Sequence, residues 1–126
     1  MIDHVSINVR NLSASRAFYD VVLNTIGLAR LVVTPETIGF GKTYPEFWLN
    51  ARPGSPPAAE DSGAHICLRA RTTEAIDAFH KAAIGAGGSD DGPPGMRPEY
   101  NERYYAAFIR DPDGNRIEVV TFLTDA

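Results

Sequence analysis

Two histidines, His4 and His65, stand 61 residues apart, and each begins a run in which polar and apolar side chains alternate: His4-Val5-Ser6-Ile7-Asn8-Val9 and His65-Ile66-Cys67-Leu68-Arg69. On extended chain this alternation puts both histidines on a polar face and the aliphatic residues on the opposite one. A lone histidine on a strand is usually structural, but two in equivalent places argue for a shared task. Two carboxylates fill matching places on the last strand of each half. Glu46 opens Glu46-Phe47-Trp48-Leu49-Asn50, and Glu118 opens Glu118-Val119-Val120-Thr121-Phe122. An acid entering an apolar strand needs a partner, because a bare buried charge is costly. Imidazole with carboxylate suits a divalent cation: zinc, nickel, manganese, cobalt or iron. The plainer alternative is a salt bridge or a solvated strand end, and it weighs most on Glu46, beside Pro45.

The same parity collects a pocket wall. Ser6, Asn8, Trp48, Asn50, Cys67, Arg69 and Val120 fall on the face of the histidines and acids. Trp48 is a core residue as readily as a stacking platform, and Cys67 is a small side chain before it is a reactive one. Arg97, Tyr100 and Arg103, in a loop with Glu99 and Asn101, are candidates for a rim; the two arginines would suit an anionic substrate, or are simply solvated. His80 falls on a helix at the position of Tyr19 in the other half and is expected to be exposed, outside the site.

These residues need elements to hold them, and the chain supplies the same set twice. Displacing the sequence by 61 residues brings His4 onto His65, Ala14 onto Ala75, Ala17 onto Ala78, Phe18 onto Phe79 and Gly27 onto Gly88. Each half reads as a strand, a helix and further strands. Ser13 is the expected N-cap of a helix whose apolar stripe is Ala14, Ala17, Phe18, Val21 and Val22, ended by Gly27. Strands are expected near Leu28–Thr34, Ile38–Gly41 and Glu46–Asn50. In the second half, a helix from Thr73 to Ala86 should bury Ile76, Phe79, Ala82 and Ala83. Strands Tyr104–Arg110 and Arg116–Phe122 follow, joined by the turn Asp111-Pro112-Asp113-Gly114. The stretch Gly85–Asn101 is rich in Gly and Pro and reads as a long irregular loop. We expect one α+β domain over 1–126, with modules at about 1–51 and 64–126. Residues 52–63 form a linker, since each half is too small to be stable alone.

Composition removes several classes of function. The chain has 126 residues, 44% hydrophobic and 22% charged, with a formal net charge of −4. There is no basic stripe, so a small molecule is a better partner than nucleic acid. No apolar run approaches the ~18 residues of a membrane span. Cys67 is the single cysteine, so an intramolecular disulfide is excluded. Met1–Ser6 does not read as a signal peptide, and a cytoplasmic location is expected. No phosphate-binding glycine loop, nucleophile elbow or Cys-x-x-Cys pair competes for the chemistry.

The run His4–Gly27, with Ser13-Ala14-Ser15-Arg16-Ala17-Phe18-Tyr19 in its helix, resembles the opening of the vicinal oxygen chelate superfamily, which includes glyoxalases, bleomycin-resistance proteins and extradiol dioxygenases. Phe108-Ile109-Arg110-Asp111-Pro112-Asp113-Gly114-Asn115-Arg116-Ile117-Glu118 resembles its closing motif. The resemblance implies paired βαβββ modules forming an incomplete, curved eight-stranded barrel, with helices outside and a divalent metal in the concave face. It implies His4, His65 and Glu118 as ligands, with Glu46 as a fourth candidate and either acid as a general base. It further implies a homodimer, in some members with exchanged modules. The function it points to is a metal-dependent, glyoxalase-type lyase or isomerase acting on a small oxygen-rich molecule. A metal-free sequestering protein and a non-heme iron extradiol dioxygenase are the alternatives.

Overall fold

A computed structural model describes residues 1–124. The last two residues of the second module, 125 and 126, lie outside the described residues. The first module consists of β1 (Val5–Val9), α1 (Leu12–Asn24), β2 (Ala29–Val33), β3 (Thr37–Gly41) and β4 (Pro45–Ala51). The second repeats the plan with β5 (Ile66–Arg69), α2 (Thr73–Gly85), β6 (Ser89–Met96), β7 (Tyr104–Arg110) and β8 (Arg116–Phe122). Two four-stranded sheets result, ordered β1-β4-β3-β2 and β5-β8-β7-β6. In each, the first strand runs parallel to the last and the remaining pairs are antiparallel. Two sheets with two helices, and no closed barrel among the described residues, give the α+β architecture of paired βαβββ modules that the resemblance implies.

The aliphatic face of each first strand packs inward as alternation requires. Val9 is buried with Leu49 and Phe47 of β4, while Ser6 and Asn8 stand exposed on the other side. Side chains from both modules form one buried cluster, in which Phe18, Tyr19 and Val22 of α1 join Ile76, Phe79 and Ala83 of α2. No helix among the described residues is long and apolar enough to cross a membrane.

Three local expectations are corrected. Helix α1 begins at Leu12, capped by Asn11, whose side-chain oxygen accepts from the Ala14 amide at 3.0 Å; Ser13 lies within the helix. Asn and Ser cap about equally well, and the earlier one took the place. The buried stripe is also rotated by one residue. Ser15, Phe18, Tyr19, Val22 and Leu23 face inward, while Ala14 and Ala17 are exposed and Val21 is half exposed. Both stripes contain Phe18 and Val22, but only the observed one also buries Tyr19 and Leu23, the larger apolar payload. Thirdly, the stretch expected to be irregular holds β6, Ser-Asp-Asp-Gly-Pro-Pro-Gly-Met, an edge strand. Its register against β7 breaks between Asp90 and Gly92 and again between Gly92 and Gly95. Proline and glycine are tolerated at such an edge because bulges absorb them.

Candidate functional site

The candidate face of the second sheet is built by register. Strand β7 sets Phe108 opposite Glu118 and Tyr104 opposite Phe122, and β5 sets Cys67 beside Glu118 and Arg69 beside Val120. One face therefore carries an acid surrounded by a thiol, two phenyl rings, a phenol and a guanidinium, with His65 immediately before β5. Glu118 is only 3% exposed. Both its oxygens are engaged: Oε1 lies 2.9 Å from His65 Nε2, and Oε2 accepts a very short hydrogen bond from the Tyr104 hydroxyl. The His65 ring lies against Phe108, with centroids 6.3 Å apart. Tyr104 meets Phe122 edge-on at 5.3 Å, and Arg69 lies over the Phe122 ring at 4.7 Å.

Burial and the neighbouring carboxylate set the proton inventory. Desolvation first, then the hydrogen bond to Glu118, raises the Tyr104 phenol above its ordinary 10.0, so it stays a donor at neutral pH. Cys67 is exposed as a residue, and its thiol lies beside Glu118. Desolvation, reinforced by the Glu118 charge, pushes the thiol up to about 12. A thiol at that value is a poor nucleophile at neutral pH.

The structure brings His65, Glu118, Cys67 and Arg69 together, with Arg97 at the edge over Phe108. It holds the other candidates elsewhere. His4 precedes β1 on the first sheet, its side chain 53% exposed and its Nδ1 2.8 Å from Asp3. Glu46 is exposed on the same sheet, near Tyr44, whose phenol is raised by Asp3 and to a lesser degree by Glu46. Trp48 is half-buried there, its ring occupying the space over Gly39. Tyr100 is exposed on the rim, packing edge-on to Tyr104 at 5.2 Å. Arg103 immediately precedes β7, next to Glu102 and Leu123. His80 is not exposed as expected: it is half-buried and 2.8 Å from Asp90 of β6, whereas Tyr19, its counterpart in the repeat, is fully buried.

Register corrects one equivalence. Ser6 of β1 pairs with Trp48, and Cys67 of β5 pairs with Glu118. Ser6 and Cys67 are equivalent, so the counterpart of Glu118 in the first module is Trp48. Glu46 lies two residues earlier, at the place of Arg116. The two acids look matched in sequence because both open apolar runs, but strand pairing decides the position. Sequence reading also missed Tyr104, Phe108 and Phe122. The hairpin could have revealed them: pairing Arg110 with Arg116 across the turn puts Phe108 opposite Glu118 and Tyr104 opposite Phe122.

The donor chemistry accommodates two ligands of one cation. Metal–ligand bonds of about 2.0–2.2 Å bring neighbouring donors to roughly 3 Å from each other, the separation seen between His65 and Glu118. Among the described residues, no group of three His, Cys, Asp or Glu is placed to hold a metal. A groove of about 400 Å³ runs between the two sheets, lined by Val5, Ser6, Ile7, His65, Ile66 and Arg116.

The turn that closes the similarity motif serves a different end. Asp111 is buried, and its carboxylate accepts from the amides of Asp113 and Asn115 and, at 2.7 Å, from the hydroxyl of fully buried Tyr19. Asp113 reaches the Arg10 amide and guanidinium at 3.1 and 2.9 Å and the Ser15 hydroxyl at 3.4 Å. This turn fastens the second module to α1 and the end of β1.

Known proteins resemble the chain over nearly its whole length. Residues 1–119 match the model of the Glyoxalase/Bleomycin resistance protein/Dioxygenase superfamily. The structure of a glyoxalase/bleomycin resistance protein from Albidiferax ferrireducens T118 is 33% identical, with a TM-score of 0.83 over 94% of this chain and 96% of that one. A glyoxalase/bleomycin resistance protein/dioxygenase family enzyme from Burkholderia phytofirmans PsJN is 22% identical, with a TM-score of 0.75 over 97% and 98% of the two chains. The fold is shared more distantly by a mutant of the fosfomycin resistance protein FosX from Listeria monocytogenes, complexed with Mn(II) and 1S,2S-dihydroxypropylphosphonic acid. That protein is 14% identical, with a TM-score of 0.72 over 99% and 92% of the chains. No curated protein matches.

Proposed function

Since the chain belongs to the Glyoxalase/Bleomycin resistance protein/Dioxygenase superfamily, we propose that it is a metal-dependent enzyme of the glyoxalase type, a lyase or isomerase, acting on a small oxygen-rich molecule. The observation that carries this reading is the pairing of a nearly exposed imidazole with a buried carboxylate, His65 Nε2 and Glu118 Oε1 at 2.9 Å. A divalent cation bound there supplies Lewis acidity toward adjacent substrate oxygens. The protein's own groups do the rest. The Tyr104 hydroxyl fixes the Glu118 carboxylate in orientation. Phe108 and Phe122 line the bowl with apolar surface that limits water. Glu118, with its second oxygen held by a phenol, is the group placed to take a proton from substrate.

The third ligand in this reading is His4 of a second copy of the chain. His4 is the repeat counterpart of His65, and within the chain its Nδ1 lies 2.8 Å from the adjacent Asp3. The polar faces of β1 and β5 are both open, which leaves room for a homodimer in which the first module of one copy faces the second module of the other. Trp48, at the position equivalent to Glu118, gives a three-ligand set and leaves Glu46 outside it. The divergence of the donors within one chain equally favours a second reading: a metal-free protein that sequesters a small molecule in the bowl.

Metal content separates the two. The untagged protein should hold near one divalent metal per chain, lost in His4→Ala, His65→Ala and Glu118→Ala. Mixing the His4→Ala and His65→Ala proteins under exchange conditions should restore metal to a fraction of the sites, because one of the two mixed sites is intact. A protein that refuses zinc, nickel, manganese, cobalt and ferrous iron would sink the enzyme reading and leave the sequestering one. Metal retained in His4→Ala would remove only the shared site.

A further inference from the structure

Four arginines stand on or beside this face of the second sheet, and two of them share one acid. Arg110 and Arg116 share Asp91, at 3.5 and 3.2 Å, and also donate to the linker carbonyls of Glu60 and Ser62. Arg69 rests on Phe122 from an exposed position. Arg97 differs from all three in how it is held.

Arg97 is half-buried at the end of β6, its guanidinium 5.5 Å from the centroid of Phe108, the ring that the His65 imidazole touches from elsewhere at 6.3 Å. One nitrogen donates to the Pro93 carbonyl at 2.6 Å and another to Met96 at 3.4 Å. Two glycines make the space. A Cβ at Gly92 would stand 3.3 Å from one guanidinium nitrogen and 2.9 Å from the Phe108 ring, and a Cβ at Gly95 would stand 3.3 Å from the other nitrogen. Both breaks in the register of β6 end at these glycines. The strand thus gives up regular pairing and side chains to seat one cation, yet no carboxylate among the described residues forms an ion pair with it. The two carbonyls occupy only part of a five-donor fork, and the carboxylate whose charge acts on it, exposed Asp90, is itself held by His80 and the Gly92 amide. A fork restrained in this way suits a planar or tetrahedral oxyanion.

We infer that Arg97 receives the anionic end, a carboxylate or phosphonate, of the molecule whose other oxygens meet His65 and Glu118. This rests on the site reading proposed above, and it assigns Arg97 as the residue that selects anionic over neutral substrates. Arg69, more exposed and held only by a ring, is the secondary cation.

The test is a titration of the protein, as purified and after chelation, with methylphosphonate, acetate and neutral propane-1,2-diol, followed by amide NMR shifts at Gly92 and Gly95. Chelation separates anion binding at the guanidinium from binding to a metal. An oxyanion should bind both forms, the diol neither, and the stronger of the two anions identifies the group. Arg97→Gln should weaken the oxyanion by at least about tenfold, the value of one charge-assisted hydrogen bond. Arg97→Lys should recover part of it, and Gly95→Ala should weaken it by displacing the guanidinium without removing charge. Metal content should be unchanged in all three. Binding that is absent in the wild type, or equal in Arg97→Gln, overturns the assignment. If Arg97→Gln does not fold, unchanged binding in both Arg97→Lys and Gly95→Ala overturns it. A wild type that refuses every added divalent metal yet still loses the oxyanion on Arg97→Gln would refute the enzyme reading and keep this subsite.

Discussion

Glu118 accepts from an imidazole on one oxygen and a phenol on the other, and the chemistry of its neighbours follows from that charge. Cys67 shows the effect most directly. Its surface is open, so accessibility alone would make it the reactive thiol of this chain. With the thiol pushed up to about 12 from 9.0, the thiolate is scarce at any physiological pH. We expect iodoacetamide to label Cys67 in the folded protein at pH 8 at least about 100-fold more slowly than in the unfolded chain, since the thiolate is the attacking species. The Glu118→Gln variant should regain part of that rate, because one cause of the shift is removed while desolvation remains. Equal rates in folded and unfolded protein would contradict the placement of the sulfur beside the acid. At this scale the sequence was legible for His65 and Glu118, whose types and parity stand out. It was not legible for Tyr104, whose role depends on reaching along and across a hairpin.

Among the elements, β7 and β8 were readable to the residue because they are apolar runs flanking a strong turn. Helix α2 was readable to within a residue of its observed end, Gly85. Strand β6 was not readable. Its composition belongs to a loop, and it is a strand only because β7 offers a partner, which no local pattern encodes. Glu46 illustrates the related limit: the relation between equivalent strands is set by pairing, and a shift of two residues keeps the face but changes the neighbour. The turn between β3 and β4 gives a sharper test of an element. A Cβ on Gly41 would stand 1.8 Å from the Tyr44 carbonyl oxygen, a main-chain atom that cannot swing aside. We expect Gly41→Ala to lower stability by about 3 kcal/mol in urea unfolding, at the upper end of overpacking costs. Gly54→Ala, in open space within the linker, should stay within about 0.5 kcal/mol of wild type. A mild Gly41→Ala would mean that the turn is not as tight as described.

Across the whole molecule, two sheets and two helices share one core, and the polar contact sealing them is Tyr19 with Asp111. Desolvation raises both groups, Tyr19 well above its ordinary 10.0 and Asp111 above its ordinary 3.8. For Tyr19 the sign is definite: above pH 10 the unfolded chain releases a proton that the folded chain retains, so stability falls as pH rises. The slope is about 1.4 kcal/mol per pH unit for this group. We expect Tyr19→Phe to cost about 1–3 kcal/mol at pH 8, where it strips a donor from a buried carboxylate. That deficit should shrink by pH 11, because the phenylalanine has no proton to lose. A deficit independent of pH would show that Tyr19 is not held protonated by the fold. The repeat made two modules visible in the sequence, but the function of Asp111 and Asp113 was hidden, since the same turn residues would serve a hairpin standing alone.

That fastening changes what the covalent connection is for. Arg10, Ser15 and Tyr19 grip the turn from one half while Asp111 and Asp113 answer from the other. The halves are therefore joined by a clasp of complementary side chains, with residues 52–63 only laid along the seam. A clasp of this kind belongs to association between separate molecules. The chain carries inside itself an interface of the sort two separate half-length chains would need, with the linker serving mainly to raise the local concentration of one half around the other.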